Sequence, residues 1–139
     1  MIKIGVKDKE ALRLLTDLQG RGANMSPVMR QIAGIMHDAV EQNFEAEGRP
    51  RWRPSKRALM QQGKTLQKSG QLAASIAQKH DARSARVGTN TVYAAIHQFG
   101  GKAGRGRKVT IPARPFLKLT DADIEEIKEA LRNYLLRGK

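Results

Sequence analysis

Catalysis needs groups that move protons, donate electron pairs or hold metal ions, and this sequence is short of them. It has three histidines, His37, His80 and His97, and no cysteine. Without thiols there are no disulfides, thiolate nucleophiles, zinc fingers or iron–sulfur ligands. No two histidines stand at the H-x-x-x-H spacing that sets two ligands on one helix turn. His80 and Asp81 are adjacent, and neighbours on a turn rarely face each other. General acid–base work wants paired carboxylates or a histidine beside an orienting acid. A metal-dependent nuclease wants several acids converging on its cation, and residues 48–120 offer one, Asp81. The stretch GGKAGRG lacks the G-x-x-x-x-G-K-[ST] pattern of a phosphate-cradling loop. The residues therefore assign no catalytic group, no cofactor site and no metal ligand. The least poor catalytic set is His97 with Tyr93 and Arg114, as a metal-free ribonuclease would use.

Charge is the stronger signal. The 139 residues carry 26 Lys+Arg against 13 Asp+Glu, a net +13. Residues 1–47 hold 6 basic and 7 acidic side chains, and residues 121–139 hold 4 and 5, so each end is −1. Residues 48–120 hold 16 basic side chains and one acid, giving +15. Such a field attracts polyanions. It marks Arg49, Arg51, Arg53, Lys102, Arg105, Arg107 and Lys108 as candidates to face DNA, or an acidic protein surface. Trp52, in R-P-R-W-R-P, reads as an anchor for a connector whose arginines cover its faces, or as a stacking platform. Aromatics total 4%, too few for a sheet that stacks single-stranded bases.

Elements must position these residues. Residues 8–18 read as a short amphipathic helix with Leu12, Leu15 and Leu18 on one face. Ser26-Pro27 starts a long helix, with Ser26 as its cap. Val28, Ile32, Ile35, Met36, Ala39, Val40 and Phe44 form its apolar face as far as Gly48. Residues 48–57 are a basic connector, and a short helix follows over 55–62. Residues 72–79 and 84–89 read as two strands joined by HDAR. Thr91 caps a helix over 92–99, with Val92, Ile96 and Phe99 on one face and Tyr93 and His97 on another. Residues 100–108 read as a flexible basic loop, and VTI as a strand that Pro112 ends. Thr120 caps the closing helix, with Asp121 and Asp123 in its first turn and Ile124, Ile127, Leu131, Tyr134 and Leu135 inward. Most acids of the terminal helices fall on solvent faces. The fold class is α+β, with the long N-terminal and the C-terminal helices packed on a small antiparallel sheet and a short helix after the hairpin. The 139 residues make one domain. No apolar run reaches the ~20 residues of a membrane span, and the first ten lack a signal-peptide core, so cytoplasmic folding is expected.

Taken in order, W-R-P, L-Q-K-S-G-Q-L-A-A-S-I, R-V-G-T-N-T-V-Y-A-A-I-H-Q-F-G-G and I-P-A-R-P-F-L-K-L-T-D-A-D, with a closing helix ending in Y-L, resemble the phage virion morphogenesis family over about residues 25–137. That family includes Mu G-like and tail-completion proteins. The resemblance implies a non-enzymatic virion protein of the neck or head-proximal tail end, present in the host cytoplasm during assembly. It implies a homo-oligomer, a sixfold ring, that completes the tail and joins it to the filled head. Its partners would be itself, other neck, tail-tube or connector proteins, and packaged DNA through phosphate contacts. The family's recurrent positions fall on Trp52, Ser69, Gly70, Leu72, Gly88, Tyr93, His97, Phe99, Gly100, Pro112, Arg114, Pro115 and Phe116. Of these, Gly70, Gly88 and Gly100 suit turns or caps, Phe99 and Phe116 suit the core, and Trp52, Tyr93, His97 and Arg114 are candidate subunit or partner contacts, the last three equally suited to hydrogen bonds within the subunit. A small basic nucleic-acid-binding protein is the alternative that charge alone supports.

Overall fold

After a two-residue strand (β1, Ile2–Lys3), Asp8 caps the first helix (α1, Lys9–Gly20), its carboxylate accepting the Ala11 amide at 3.0 Å. The structure is a computed structural model that describes residues 2–3, 8–61, 63–66 and 70–137. The long helix follows (α2, Ser26–Glu45). All seven apolar positions read from its spacing are buried. Its cap differs from expectation: Ser26 is the first helical residue, and the Asn24 side chain accepts the Ser26 amide instead.

The connector then turns back. Gly48 has φ 105°, and a Cβ there would lie 2.6 Å from the Pro50 carbonyl oxygen and the Trp52 nitrogen, so only glycine fits. The Arg49–Pro50 peptide is cis. A short helix (α3, Lys56–Gln61) ends at the boundary of the described residues, which exclude Gln62 and Ser69. Residues 72–79 are not one strand. Gly70, at φ 73°, starts a single helical turn (α4, Gln71–Ala74), and the strand begins only afterwards (β2, Ala77–His80).

The hairpin partner (β3, Ala85–Thr89) pairs with β2 and β1 on either side, giving an antiparallel sheet of order β1-β3-β2. Gly88 lies within β3, paired to Ala77 and Lys3, so it is not a turn glycine. A six-residue helix (α5, Ala94–Phe99) leads to a second hairpin (β4, Gly101–Ala103; β5, Val109–Ile111) joined by a 3-10 turn over Arg105–Arg107. The segment read as a loop is thus ordered into a two-stranded sheet. Thr120 caps the last helix (α6, Asp121–Arg137): its hydroxyl accepts the Asp123 amide at 3.2 Å, and Asp123 accepts the Thr120 amide at 2.8 Å.

The core lies between α1, α2 and α6 on one side and β3 on the other. An ionic clasp also ties α1 to α6. Lys128 Nζ reaches Asp8 at 3.1 Å, Glu10 at 3.4 Å and Glu125 at 3.1 Å, and Arg132 pairs with Glu10. Buried Asp123 is paired to Arg49. Most acids of the terminal helices are exposed, as expected; Asp8 and Glu10 are half-buried in the clasp, and Asp123 is the buried exception.

Gly34 sits in the middle of α2 with nothing within 4 Å of a built Cβ. Nothing among the described residues demands glycine there, and glycine inside a helix is worth about 0.5–1 kcal/mol less than alanine. Gly34→Ala should raise the unfolding free energy by about that much in urea denaturation; a loss would show that the site is not open.

Candidate partner-binding cleft

The connector, α5 and the extended chain 112–120 meet around an aromatic stack. Trp52 stands edge-on to Phe44 with ring centroids 5.9 Å apart, and Phe44 lies tilted on Phe116 at 5.3 Å. Trp52 is 5% exposed and Phe116 fully buried. Trp52 is thus an anchor, which removes it from the contact candidates. Three hydrogen bonds sew α5 to the 112–120 segment. The Arg114 amide donates to the His97 carbonyl at 2.7 Å, and the Gln98 amide group brackets Leu117, accepting its N–H at 2.9 Å and donating to its carbonyl at 3.2 Å. Sequence reading passed over Gln98; its place between His97 and Phe99 carries no signal for a backbone clamp. At Gly100, φ 74°, a Cβ would meet the Ala113 nitrogen at 2.7 Å, so the chain turns here at backbone contact.

This stitching places Tyr93, His97 and Arg114 side by side. The Tyr93 and His97 rings are perpendicular with centroids 6.0 Å apart. They line a cleft of about 380 Å³ with Ser55, Arg57, Leu66, Gln71, Leu72 and Arg114. Ser55, His97 and Arg114 also border a neighbouring groove of about 640 Å³ walled by Arg53, Leu59, Lys108 and Val109. No carboxylate lines either space among the described residues. Arg114 is 7% exposed, and its Nε donates to the Arg53 carbonyl at 2.8 Å. Burial, and then the nearby Arg53 charge, lower its pKa. His97 Nδ1 is buried without a hydrogen-bond partner among the described residues. The set read as a possible triad is assembled, yet no acid among the described residues orients its histidine. The arrangement suits holding an anion.

Burial first and the Arg114 charge second hold the His97 pKa below its ordinary value. The unfolded chain therefore binds more protons at His97. Its contribution to stability is present above pH about 6.5 and lost as pH falls through that value toward the folded-state pKa. Histidine ring NMR should give a His97 midpoint below about 6.5. Arg114→Met, which keeps the bulk and removes the charge, should raise it. A wild-type midpoint at or above that value would refute the assignment.

The remaining candidates separate. Arg49 is turned inward: its guanidinium pairs with Asp123 at 2.9 Å and bonds to Asn43 and the Ala39 carbonyl. It is not a DNA-facing group. Arg51 is exposed, 3.6 Å from Glu47, and Arg53 is exposed beside the cleft. Lys102, Arg105, Arg107 and Lys108 are all exposed on the β4–β5 hairpin, without ion pairs among the described residues. Phe99 is not in the core: it is 69% exposed, as is Val92 at 97%. Among the described residues no group of His, Asp or Glu is placed to hold a metal, and no helix is long and apolar enough to cross a membrane.

The profile of the phage virion morphogenesis family matches residues 6–136. The chain belongs to that family. It is 50% identical over 135 residues to the Mu-like prophage FluMu G protein 2 of Haemophilus influenzae, covering 96% of each chain. It is 30% identical over 138 residues to protein G of Escherichia phage Mu, named for capsid assembly, covering 90% of this chain and 88% of that one. No solved structure matches. Family membership makes this a Mu G-like phage virion morphogenesis protein.

Proposed function

We propose that this protein is a structural component of the neck or head-proximal tail end, and that it closes into a ring that completes the tail and joins it to the head. One observation carries the reading beyond family membership. The side of the subunit built from α3, α5 and the β4–β5 hairpin leaves Leu59, Met60, Phe99 and Val109 exposed beside basic side chains that have no ion pair among the described residues. Large apolar side chains left bare next to charge mark a surface that assembly covers. A chain of this size cannot enclose a channel alone, so a ring must use head-to-tail contacts that close. The hairpin cations then suit packaged DNA, held through phosphates without base recognition. Negative-stain microscopy of an induced lysate lacking the gene tests this. Filled heads lying apart from tails, joined on adding the purified protein, are expected; intact infectious particles would overturn it.

The same hairpin favours a second reading, DNA binding by the isolated protein. Each phosphate contact adds about 0.9 to the log–log salt slope. Changing Lys102, Arg105, Arg107 and Lys108 to Gln should then cut that slope by roughly 3–4. An unchanged slope in fluorescence anisotropy would dismiss the hairpin as the DNA contact.

A further inference from the structure

We propose that the cleft around Arg57, His97 and Arg114 is the socket for the outer face of α2 of a second copy of this chain, the contact repeating head-to-tail. The inference rests on the ring reading above and names its interface.

The cleft is built for a carboxylate. Its described lining holds Arg57, Arg114, Ser55 and Tyr93 and no acid. Arg114 is nearly buried, its Nε is used by the Arg53 carbonyl, and its terminal nitrogens make no hydrogen bond among the described residues. A desolvated guanidinium with an open fork prefers a carboxylate, which it can grip through two N–H groups.

The matching acids lie on a different face of the same subunit. Asp38 and Glu41 stand at i and i+3 of α2, where with Gln42 and Glu45 they line a shallow groove; Glu45, at i+7, is already paired with Lys64 of the same subunit at 2.7 Å. Asp38 meets no cation among the described residues. Glu41 meets only His37, at 3.4 Å. By contrast Asp8 and Glu10 each meet a cation of α6. Asp38 in the α2 groove and the terminal nitrogens of Arg114 in the cleft are thus opposite charges without partners among the described residues, on two surfaces that a second copy can bring together. Gly34 stands on the same outer stripe, one turn before Asp38, with open space around it. A glycine that the subunit does not need makes a notch through which a partner's side chains approach closely. Gly34, Asp38 and Glu41 stand at i, i+4 and i+7, the spacing by which a helix face seats in a groove. Because socket and helix are different surfaces, the contact propagates head-to-tail, as a ring requires.

The absence of cysteine in the chain makes the test clean. Full-length protein, shown to be assembled by sedimentation velocity, would carry Glu41→Cys and Arg57→Cys together and be oxidised. A ladder of covalent dimers, trimers and higher species is expected, with neither single variant forming one. Gly34→Gln should suppress the ladder at least tenfold while circular dichroism stays unchanged. Equimolar Arg57→Glu and Asp38→Arg/Glu41→Arg proteins should assemble together more strongly than either alone. Dimers from Glu41→Cys alone would mean a two-fold contact and overturn the proposal. Assembled protein without crosslinks would overturn this interface and leave the ring reading standing. Protein monomeric at every concentration would overturn both. Loss of assembly in Arg57→Glu but not in Asp38→Arg/Glu41→Arg would show that the socket takes another anion, and would also overturn it.

Discussion

Replacing Arg49 by Met should lower the unfolding free energy by about 3 kcal/mol, toward the lower end of the 3–5 kcal/mol seen when one partner of a buried ion pair is removed. The guanidinium donates Nε to Asn43 Oδ1 at 2.7 Å and one terminal nitrogen to the Ala39 carbonyl at 2.8 Å and Asp123 Oδ2 at 2.9 Å. The other terminal nitrogen reaches Gln42 at 3.2 Å and Asp123 Oδ1 at 3.4 Å. The Asp123 side chain is 8% exposed and that of Arg49 22%. Without the guanidinium, a buried carboxylate loses its cation and Asn43 loses a donor, while water reaches the gap only from the arginine side. Asp123→Asn in the same chain should recover part of the loss, because no charge is then stranded. Urea denaturation followed by circular dichroism measures both. A loss below about 1 kcal/mol would mean that the pair is solvated and unimportant. Arg49→Met should also leave the salt slope of DNA binding unchanged, since the side chain points inward.

Arg49 shows why the charged middle was only partly legible. Counting along R-P-R-W-R-P registers three alike cations. Nothing local distinguishes the one whose carboxylate partner stands 74 residues later from the two that stay exposed. Phe99 and Phe116 repeat the lesson for apolar residues. Both are aromatic beside a turn, and residue type places both in the core. Phe116 is buried because Phe44 and Asn43 receive it. The helix carrying Phe99 has six residues, buries only Ala94, and is held by the His97 carbonyl and the Gln98 side-chain amide. The free side of so short a helix has nothing to pack against.

The terminal helices were legible because their information is local. Apolar residues at helical spacing gave the buried face of α2, and Thr120 with Asp123 gave the start of α6. Two segments were not. L-A-A-S-I is too short for period 2 to be told from one helical turn, and the left-handed Gly70 together with the Ser75 hydroxyl bonding the Leu72 carbonyl at 2.6 Å decides for the turn. Glycines in 100–108 read as freedom. Gly100, Gly101, Gly104 and Gly106 all have positive φ, which is what a tight hairpin requires and what composition cannot separate from disorder. Tyr93, His97 and Arg114 were nominated together, yet their common cleft depends on the Arg114–His97 backbone bond, a contact between segments.

Phe116→Ala should cost about 3–5 kcal/mol, the range for emptying a buried phenylalanine site. The side chain has no exposed surface and lies 5.3 Å from the Phe44 ring, which in turn supports Trp52. Neighbours have little room to collapse, because the Phe116 carbonyl is pinned by Asn43 Nδ2 at 2.7 Å and the next residue is clamped by Gln98. A marginally stable domain holds about 5–15 kcal/mol in all, so the variant should unfold at clearly lower urea. Phe116→Leu, which keeps most of the volume, should lose far less. The loss should extend to the cleft. Arg114 precedes Phe116 by two residues on one extended strand of chain, and its amide bonds to His97. When that strand loosens, water reaches His97, weakening the burial that holds its pKa down. Its NMR midpoint should therefore rise toward the ordinary histidine value, about 6.5, in conditions where Phe116→Ala is still folded. A large stability loss with an unmoved midpoint would show that the aromatic stack supports the core but does not position the cleft.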